Sequence, residues 1–304
     1  MRPVLLLLLL ISTFFNNGYA CLNGEIKELK DGTGVYEDKP GNVPYGHMFY
    51  SDETFQKALK RFDSLYKTTK DLDYLSDQGL LLILLKRYQE AINLYLELER
   101  IKPNRYSTAS NLGTAYELIG QNENALKWIQ KAVAINPRSH NHSEWIHVKI
   151  LEAKIKGEQF YNTAFLLNTD FGSDLLPNST LKKIQLTKLL NALYYQLNER
   201  VSFVKPKEKI IAQLLFDLGN VAFLLGNLDD AVTDYELAKK YGFSGQLIES
   251  RIKEASRLHK LPAEGLKKVV KTRVKPDYTT AIIAVAAAVI LLVILNIKKQ
   301  KVKN

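Results

Sequence analysis

The stretch NLGTAYELIGQNENALKWIQKAVAINP occupies residues 111–137 and decides how the rest of the chain is interpreted. Within it Gly113, Ala125 and Pro137 follow one another at intervals of 12 residues. Apolar residues between them recur with the period of a helix. The same three residue types stand 34 positions earlier, at Gly79, Ala91 and Pro103. The chain therefore contains a repeat with a period of 34 residues.

The two tandem units, 72–105 and 106–139, each predict a pair of helices. Small side chains at Gly113 and Ala125 allow the two helices of a pair to cross closely. Pro137 lacks an N–H and ends the second helix, so that the next helix can turn back. Each unit is therefore a helical hairpin.

A third copy covers 212–245, where Gly219 and Ala231 keep the spacing and Phe243 replaces the proline. Residues 140–211 are helical but do not follow the pattern, and we interpret them as a divergent unit with an inserted loop. A half-match upstream predicts the second helix of a degenerate leading unit. Its apolar positions are Ala58, Phe62 and Leu65.

This period and its pattern of small, large, small and proline residues resemble the tetratricopeptide repeat. The resemblance implies an all-α fold over 51–261, an α-solenoid of stacked helical hairpins whose first helices line the inner side of a curved surface. It also implies that this concave surface binds a protein or peptide partner. The predicted partner-binding residues, read from the register, are Asp73, Ser76, Ser110, Asn111, Thr114 and Glu117.

Some proteins of this family bind a partner's C-terminal carboxylate with lysines and asparagines on successive first helices. Asn111 and Asn220 occupy places where such asparagines occur. However, Ser76 and Phe216 stand where a lysine of that clamp would be expected. We therefore do not expect this chain to clamp a carboxylate.

The net charge of +10 is concentrated at the two ends of the chain. Five basic residues lie between 267 and 275 and four between 298 and 303, which leaves 21–266 almost neutral. A neutral body offers no basic face, and we predict no nucleic-acid partner. The only cysteine, Cys21, excludes an intrachain disulfide.

The ends of the chain predict export and a membrane anchor. Residues 1–20 have an arginine, a short apolar run and a final Gly-Tyr-Ala, which together are typical of a cleaved signal peptide. Residues 279–297 carry no charge and, at 1.5 Å per residue, are long enough for a single transmembrane helix. The other predicted segments are an N-terminal loop or hairpin at 21–50, a basic juxtamembrane linker at 262–278 and a cytoplasmic tail at 298–304.

A cleaved signal peptide followed by one span predicts that the repeat domain faces the periplasm, at a bacterial inner membrane, or a secretory lumen or exterior. Lipidation of Cys21 stays open, because Gly18 stands where a lipoprotein signal has an aliphatic residue. Glycosylation of Asn141 or Asn178, each within an Asn-X-Ser/Thr triplet, also stays open.

Three residues of the divergent unit invite a metal hypothesis, since His140, Glu144 and His147 recur at helical spacing. The set lacks a fourth ligand, and a cap at Asn141 or Ser143 would leave His140 outside the helix. No phosphate-binding or nucleophile motif occurs, so we predict no enzyme, no metal and no cofactor.

The sequence thus predicts a membrane-tethered scaffold that binds a protein or peptide outside the cytoplasm. Two alternatives remain: a metal-dependent or otherwise unrecognised enzyme centred on 140–147, and a self-assembling structural protein of the cell envelope. The partner, the pathway and the oligomeric state stay open.

Overall fold

The computed structural model describes residues 28–204 and 207–275, and this part of the chain is mostly helical. The prediction of an all-α fold is confirmed. The helices are α1 (Asp52–Thr69), α2 (Leu72–Leu84), α3 (Tyr88–Ile101), α4 (Tyr106–Leu118), α5 (Asn122–Ile135), α6 (Ser139–His142), α7 (Glu144–Lys156), α8 (Thr163–Leu167), α9 (Lys183–Phe203), α10 (Lys209–Leu225), α11 (Leu228–Lys240), α12 (Gln246–Leu258) and α13 (Ala263–Lys271).

The pairs α2–α3, α4–α5 and α10–α11 are the helical hairpins of the three repeats. In each pair the glycine of the first helix packs against a large residue 16 positions later on the second. A Cβ built on Gly219 would lie 2.6 Å from the ring of Tyr235, and one on Gly113 would lie 2.5 Å from Ile129. Both distances are too short for a real Cβ, so any larger residue at these crossings would force the facing side chain or the helix to shift.

The third hairpin shows how a repeat ends without its proline. Helix α11 stops at Lys240, and Gly242 takes a φ of 103°, which favours glycine. Phe243 then turns back and stacks on Phe216 of α10, with ring centroids 4.2 Å apart. An aromatic contact therefore fixes the exit of the second helix in this repeat.

The half-match upstream forms a helix, α1, in which Ala58 and Phe62 are buried and Leu65 is half-buried. The chain before it, residues 28–50, is called here the N-terminal segment. It forms a two-stranded antiparallel sheet from β1 (Tyr36–Glu37) and β2 (Met48–Phe49), preceded by a turn that Glu28 and Gly34 close.

The divergent unit contains the helices α6 to α9. Helix α7 is its regular first helix, but the second is replaced by a 3₁₀ turn (Glu158–Phe160), the short α8, a loop and the 21-residue α9. Apolar residues of α7, α9 and α10 form one core cluster, which contains Ile150, Leu193 and Leu214. The inserted loop thus leads into the longer helix α9, which packs against α7 and α10.

Within residues 28–204 and 207–275, none of the helices is long and apolar enough to span a membrane. The predicted signal peptide at 1–20, Cys21, the predicted transmembrane helix at 279–297 and the predicted tail at 298–304 lie outside the described residues.

Candidate partner-binding site

The two predicted residues on α2 lie at its N-terminal end and have partners within the protein. Asp73 is half-buried and forms ion pairs with Lys30 of the N-terminal segment, at 3.1 Å, and with Arg105, at 2.5 Å. Ser76 is buried, and its carbonyl accepts a hydrogen bond of 2.9 Å from the hydroxyl of Tyr95. Ser76 therefore helps to hold α2 and α3 together.

The predicted residues on α4 are buried to different extents. Ser110 and Asn111 are buried, and the Asn111 amide donates to the Tyr95 hydroxyl at 2.8 Å. Thr114 is half-buried, and Glu117 is buried. Four of the six predicted residues are thus buried inside the array: Ser76, Ser110, Asn111 and Glu117. That the six residues bind a partner stays a prediction.

Asn111 and Asn220, the asparagines at possible clamp positions, both form hydrogen bonds within the array. Asn220 accepts a hydrogen bond from the Tyr235 hydroxyl at 2.9 Å and another from the Arg251 guanidinium at 2.6 Å. Arg251 is fully buried and also donates to backbone carbonyls of the inserted loop, including that of Phe171. These asparagines therefore stabilise the hairpins and the loop.

Glu117 is the centre of a buried ionic network between α4, α7 and α9. Its carboxylate lies 2.7 Å from His147 Nε2, accepts a hydrogen bond of 2.7 Å from Lys154 and pairs with Arg200. Burial alone raises the pKa of Glu117, but Arg200, Lys154 and His147 outweigh it and hold the pKa well below its usual value. Glu117 is therefore ionised and fully paired.

Helix α9 covers the end of α4 that carries Thr114 and Glu117. Between the two helices lies a cavity of only about 20 Å³, lined also by Phe203 and Val204. That volume is close to the space for one water molecule. A protein partner cannot enter there unless α9 moves away.

His140, Glu144 and His147 form a second buried cluster next to this network. Glu144 contacts the Nδ1 atom of His140, and it lies 3.3 Å from His147 Nδ1. Burial raises the pKa of Glu144, but the charges and hydrogen bonds of the two histidines dominate and lower it. No group of His, Cys, Asp or Glu side chains in the described part of the chain is placed to hold a metal ion.

Helix α7 begins at Glu144, so His140 lies outside it, as the predicted cap requires. The backbone there is unusual. His140, Asn141 and His142 have φ values of 49°, 52° and 61°, and three consecutive non-glycine residues are thus left-handed. Each such residue costs about 1–2 kcal/mol, so other contacts must hold the turn. One of them is the Tyr106 hydroxyl, 2.9 Å from His140 Nε2.

The left-handed turn borders an open groove between the start of α7 and the first half of α9. The groove has a volume of about 540 Å³ and is named here the Trp145 groove. Trp145, 37% exposed, stands in its wall. Leu167 and Leu189 contribute apolar surface, while polar side chains come from Asn141, Gln185 and Lys188.

The pattern of the sequence did not predict this groove, although Trp145 lies within the segment 140–147 of the enzyme alternative. Gln185 and Lys188 belong to a helix more than 35 residues away, and no local signal joins them to Trp145.

Comparison with known proteins identifies one unit of the chain. The sequence model described as "Tetratricopeptide repeat" matches residues 107–139, the second of the two tandem units, and that unit is a tetratricopeptide repeat. No curated protein matches the chain.

Two solved structures resemble the chain at low identity. A tetratricopeptide repeat protein from Parabacteroides merdae ATCC 43184 is 13% identical, with a TM-score of 0.33, over 67% of this chain and 93% of that chain. The APC/C hetero-tetramer Cut9-Hcn1 is 12% identical, with a TM-score of 0.34, over 69% of this chain and 41% of that chain.

Proposed function

We propose that the protein is a membrane-tethered scaffold outside the cytoplasm and that it binds a peptide segment of a partner protein in the Trp145 groove. The observation that carries the proposal is the groove itself. It is an open cleft of about 540 Å³, and it presents a half-exposed tryptophan among amide and lysine side chains. Helical repeats bind partners through surfaces assembled from several helices, and this surface belongs to α7, α8 and α9.

The chemistry of the groove fits a peptide with an apolar anchor. Trp145 and Leu189 supply the kind of apolar contact that dominates peptide and protein interfaces. Asn141 and Gln185 can donate to and accept from a peptide backbone, whose amide groups need both kinds of partner. Lys188 adds a positive charge and favours an acidic residue beside the anchor.

The predicted inner-face residues are less available than the groove. Glu117 is enclosed by α7 and α9, the Asn111 amide is bound to the Tyr95 hydroxyl, and Ser76 is buried. Asp73 is only half-buried, although it is ion-paired. Binding at the Trp145 groove therefore needs no rearrangement of the array.

The tether and the location rest on the patterns at 1–20 and 279–297. The apolar run at 279–297 has lysines on both sides and is long enough for a transmembrane helix, which inserts into a membrane effectively irreversibly. The repeat domain would then act where it is held, next to the membrane surface, and its partner would be a protein that shares this compartment.

The test begins by selecting peptides from a displayed random library on the full-length protein in a neutral detergent. Dissociation constants of the selected peptides are then measured by fluorescence polarisation. Trp145→Ala should raise Kd by about 30-fold, since an interface tryptophan contributes about 2 kcal/mol or more. Ile155→Ala is the matched control: Ile155 lies on the same helix, is 40% exposed and stands outside the groove.

Equal Kd values for Trp145→Ala and the wild type would overturn the groove as the binding site. If Asp73→Ala weakens binding while Trp145→Ala does not, the inner face binds the peptide. If the library yields no peptide that binds, the proposal of peptide recognition fails.

A further inference from the structure

A second groove lies at the C-terminal end of the array, between the end of α10 and helix α13. Its volume is about 800 Å³, within the range of roughly 300–1,000 Å³ that is usual for ligand sites. It is named here the lysine-rimmed groove. None of the residues that line it also lines the Trp145 groove.

The inner surface of the lysine-rimmed groove is apolar. Leu224 and Leu225, in the last turn of α10, form one side, and Leu266, Val270 and Val274 form the other. Helix α13 contains no fully buried residue, so its apolar side chains remain only half covered. The fold thus leaves an apolar surface that the described chain does not fill.

The rim of the same groove is positively charged. Lys183, Lys267, Lys271 and Lys275 line it, and no carboxylate does. None of these four lysines forms an ion pair with another of the described residues, 28–204 and 207–275. Four unpaired ammonium groups around an apolar cleft are complementary to a molecule with an anionic head and a hydrocarbon tail.

We infer that the lysine-rimmed groove binds an anionic phospholipid, with an acyl chain against the apolar wall and the phosphate among the lysines. The chemistry of the groove carries this inference. The proposed tether adds a source for the lipid, since the predicted membrane segment begins four residues after Lys275. Peptide binding at the Trp145 groove is not required, and either site could fail alone.

The test uses the full-length protein in a neutral glycoside detergent. Phosphatidylglycerol and phosphatidylcholine with identical acyl chains are added in equal amounts, and native mass spectrometry counts the lipids bound. The wild type should retain one phosphatidylglycerol about tenfold more often than phosphatidylcholine, since each lysine near a phosphate favours binding. Lys267→Glu combined with Lys271→Glu should abolish that preference.

Lys268→Glu is the matched control, because Lys268 lies on the same helix and is exposed but does not line the groove. It should keep the preference for phosphatidylglycerol. Val270→Trp tests the apolar half and should lower the occupancy of both lipids at least fivefold. Circular dichroism checks that each variant is folded.

An equal occupancy of the two lipids on the wild type would overturn the inference. So would a preference that survives the double reversal, or one that Lys268→Glu removes as fully as the double reversal does. Unchanged occupancy in Val270→Trp would exclude an acyl chain from the groove.

Discussion

Replacing Gly79 with alanine tests whether steric contact sets the glycine positions of the repeats. The new Cβ would overlap the ring of Tyr95. That ring cannot move aside easily, because its hydroxyl donates to the Ser76 carbonyl at 2.9 Å and accepts from the Asn111 amide at 2.8 Å. The overlap must therefore be relieved by shifting α2 against α3.

The magnitude follows from two opposing effects. Alanine in place of glycine stabilises a helix interior by about 0.8–1 kcal/mol. Overpacking a close contact costs about 1–3 kcal/mol, and the fixed ring of Tyr95 puts Gly79→Ala at the upper end. We expect a net loss of about 1–2 kcal/mol. Gly113→Ala should lie within about 1 kcal/mol of the wild type, since its Cβ meets mainly the rotatable end of Ile129.

The assay is urea unfolding of the full-length protein in a neutral detergent, followed by circular dichroism at 222 nm. Gly265→Ala is the control, because Gly265 is also helical but its Cβ would come no closer than 3.9 Å to another side chain. That variant should be as stable as the wild type or slightly more stable. If Gly79→Ala unfolds at the same urea concentration as Gly113→Ala and Gly265→Ala, the steric explanation of the repeat is refuted.

Arg251→Met should lower the free energy of unfolding by about 2–4 kcal/mol, because charge-assisted hydrogen bonds contribute about 1.5–3 kcal/mol each. Thermal melts measure the effect, with Arg257→Met, at an exposed arginine, as the control. Equal melting temperatures for the two variants would contradict the stabilising role of Arg251. Burial raises the pKa of Asp77 to about 7. Because this folded value lies above the unfolded value of about 3.9, the contribution to stability is complete below pH 4 and is lost as pH rises through 7. Asp77→Asn should therefore gain on the order of 2 kcal/mol relative to the wild type between pH 5 and pH 8, and parallel pH profiles would refute this. A reporter active only outside the cytoplasm should work when fused after Lys260 and fail when fused after Asn304; the opposite result would reject the proposed topology.

The repeats could be predicted because their determinants are local. Gly79 and Gly113 stand 16 residues before the side chains that pack against them, and a period of 34 residues makes this pattern visible in the sequence. The way in which the second helix of the third hairpin ends was harder to predict from the sequence. Phe243 stands at the position of the expected proline and stacks on Phe216 of α10, a contact that no local pattern shows.

The site could not be predicted to the same extent, because long-range contacts determine it. Arg200 pairs with Glu117 across 83 residues, and nothing near Glu117 in the chain indicates that a helix will cover it. The left-handed turn at His140 likewise contains no glycine, so the sequence does not indicate its positive φ values. Burial of the predicted Ser76 and Asn111 was missed for another reason, since polar residues on a first helix follow the same sequence pattern whether they face solvent or a neighbouring helix.

The junction between the N-terminal segment and α9 also sets the order in which the chain can fold. Gly46 donates to Asn198 at 2.8 Å, and His47 lies 2.6 Å from Asp38 and 3.0 Å from Glu199, a residue 152 positions later. During synthesis at about 5–20 residues per second, Glu199 of α9 is made roughly 8–30 s after His47. In that interval the tandem hairpins can form from contacts within each pair, and Val35 and Tyr36 can pack against the core of α1 and α2. The contacts of Gly46 and His47 with α9 must wait until α9 has been synthesised. The loop before β2, although it is synthesised early, is therefore among the last parts of the domain to reach its final contacts.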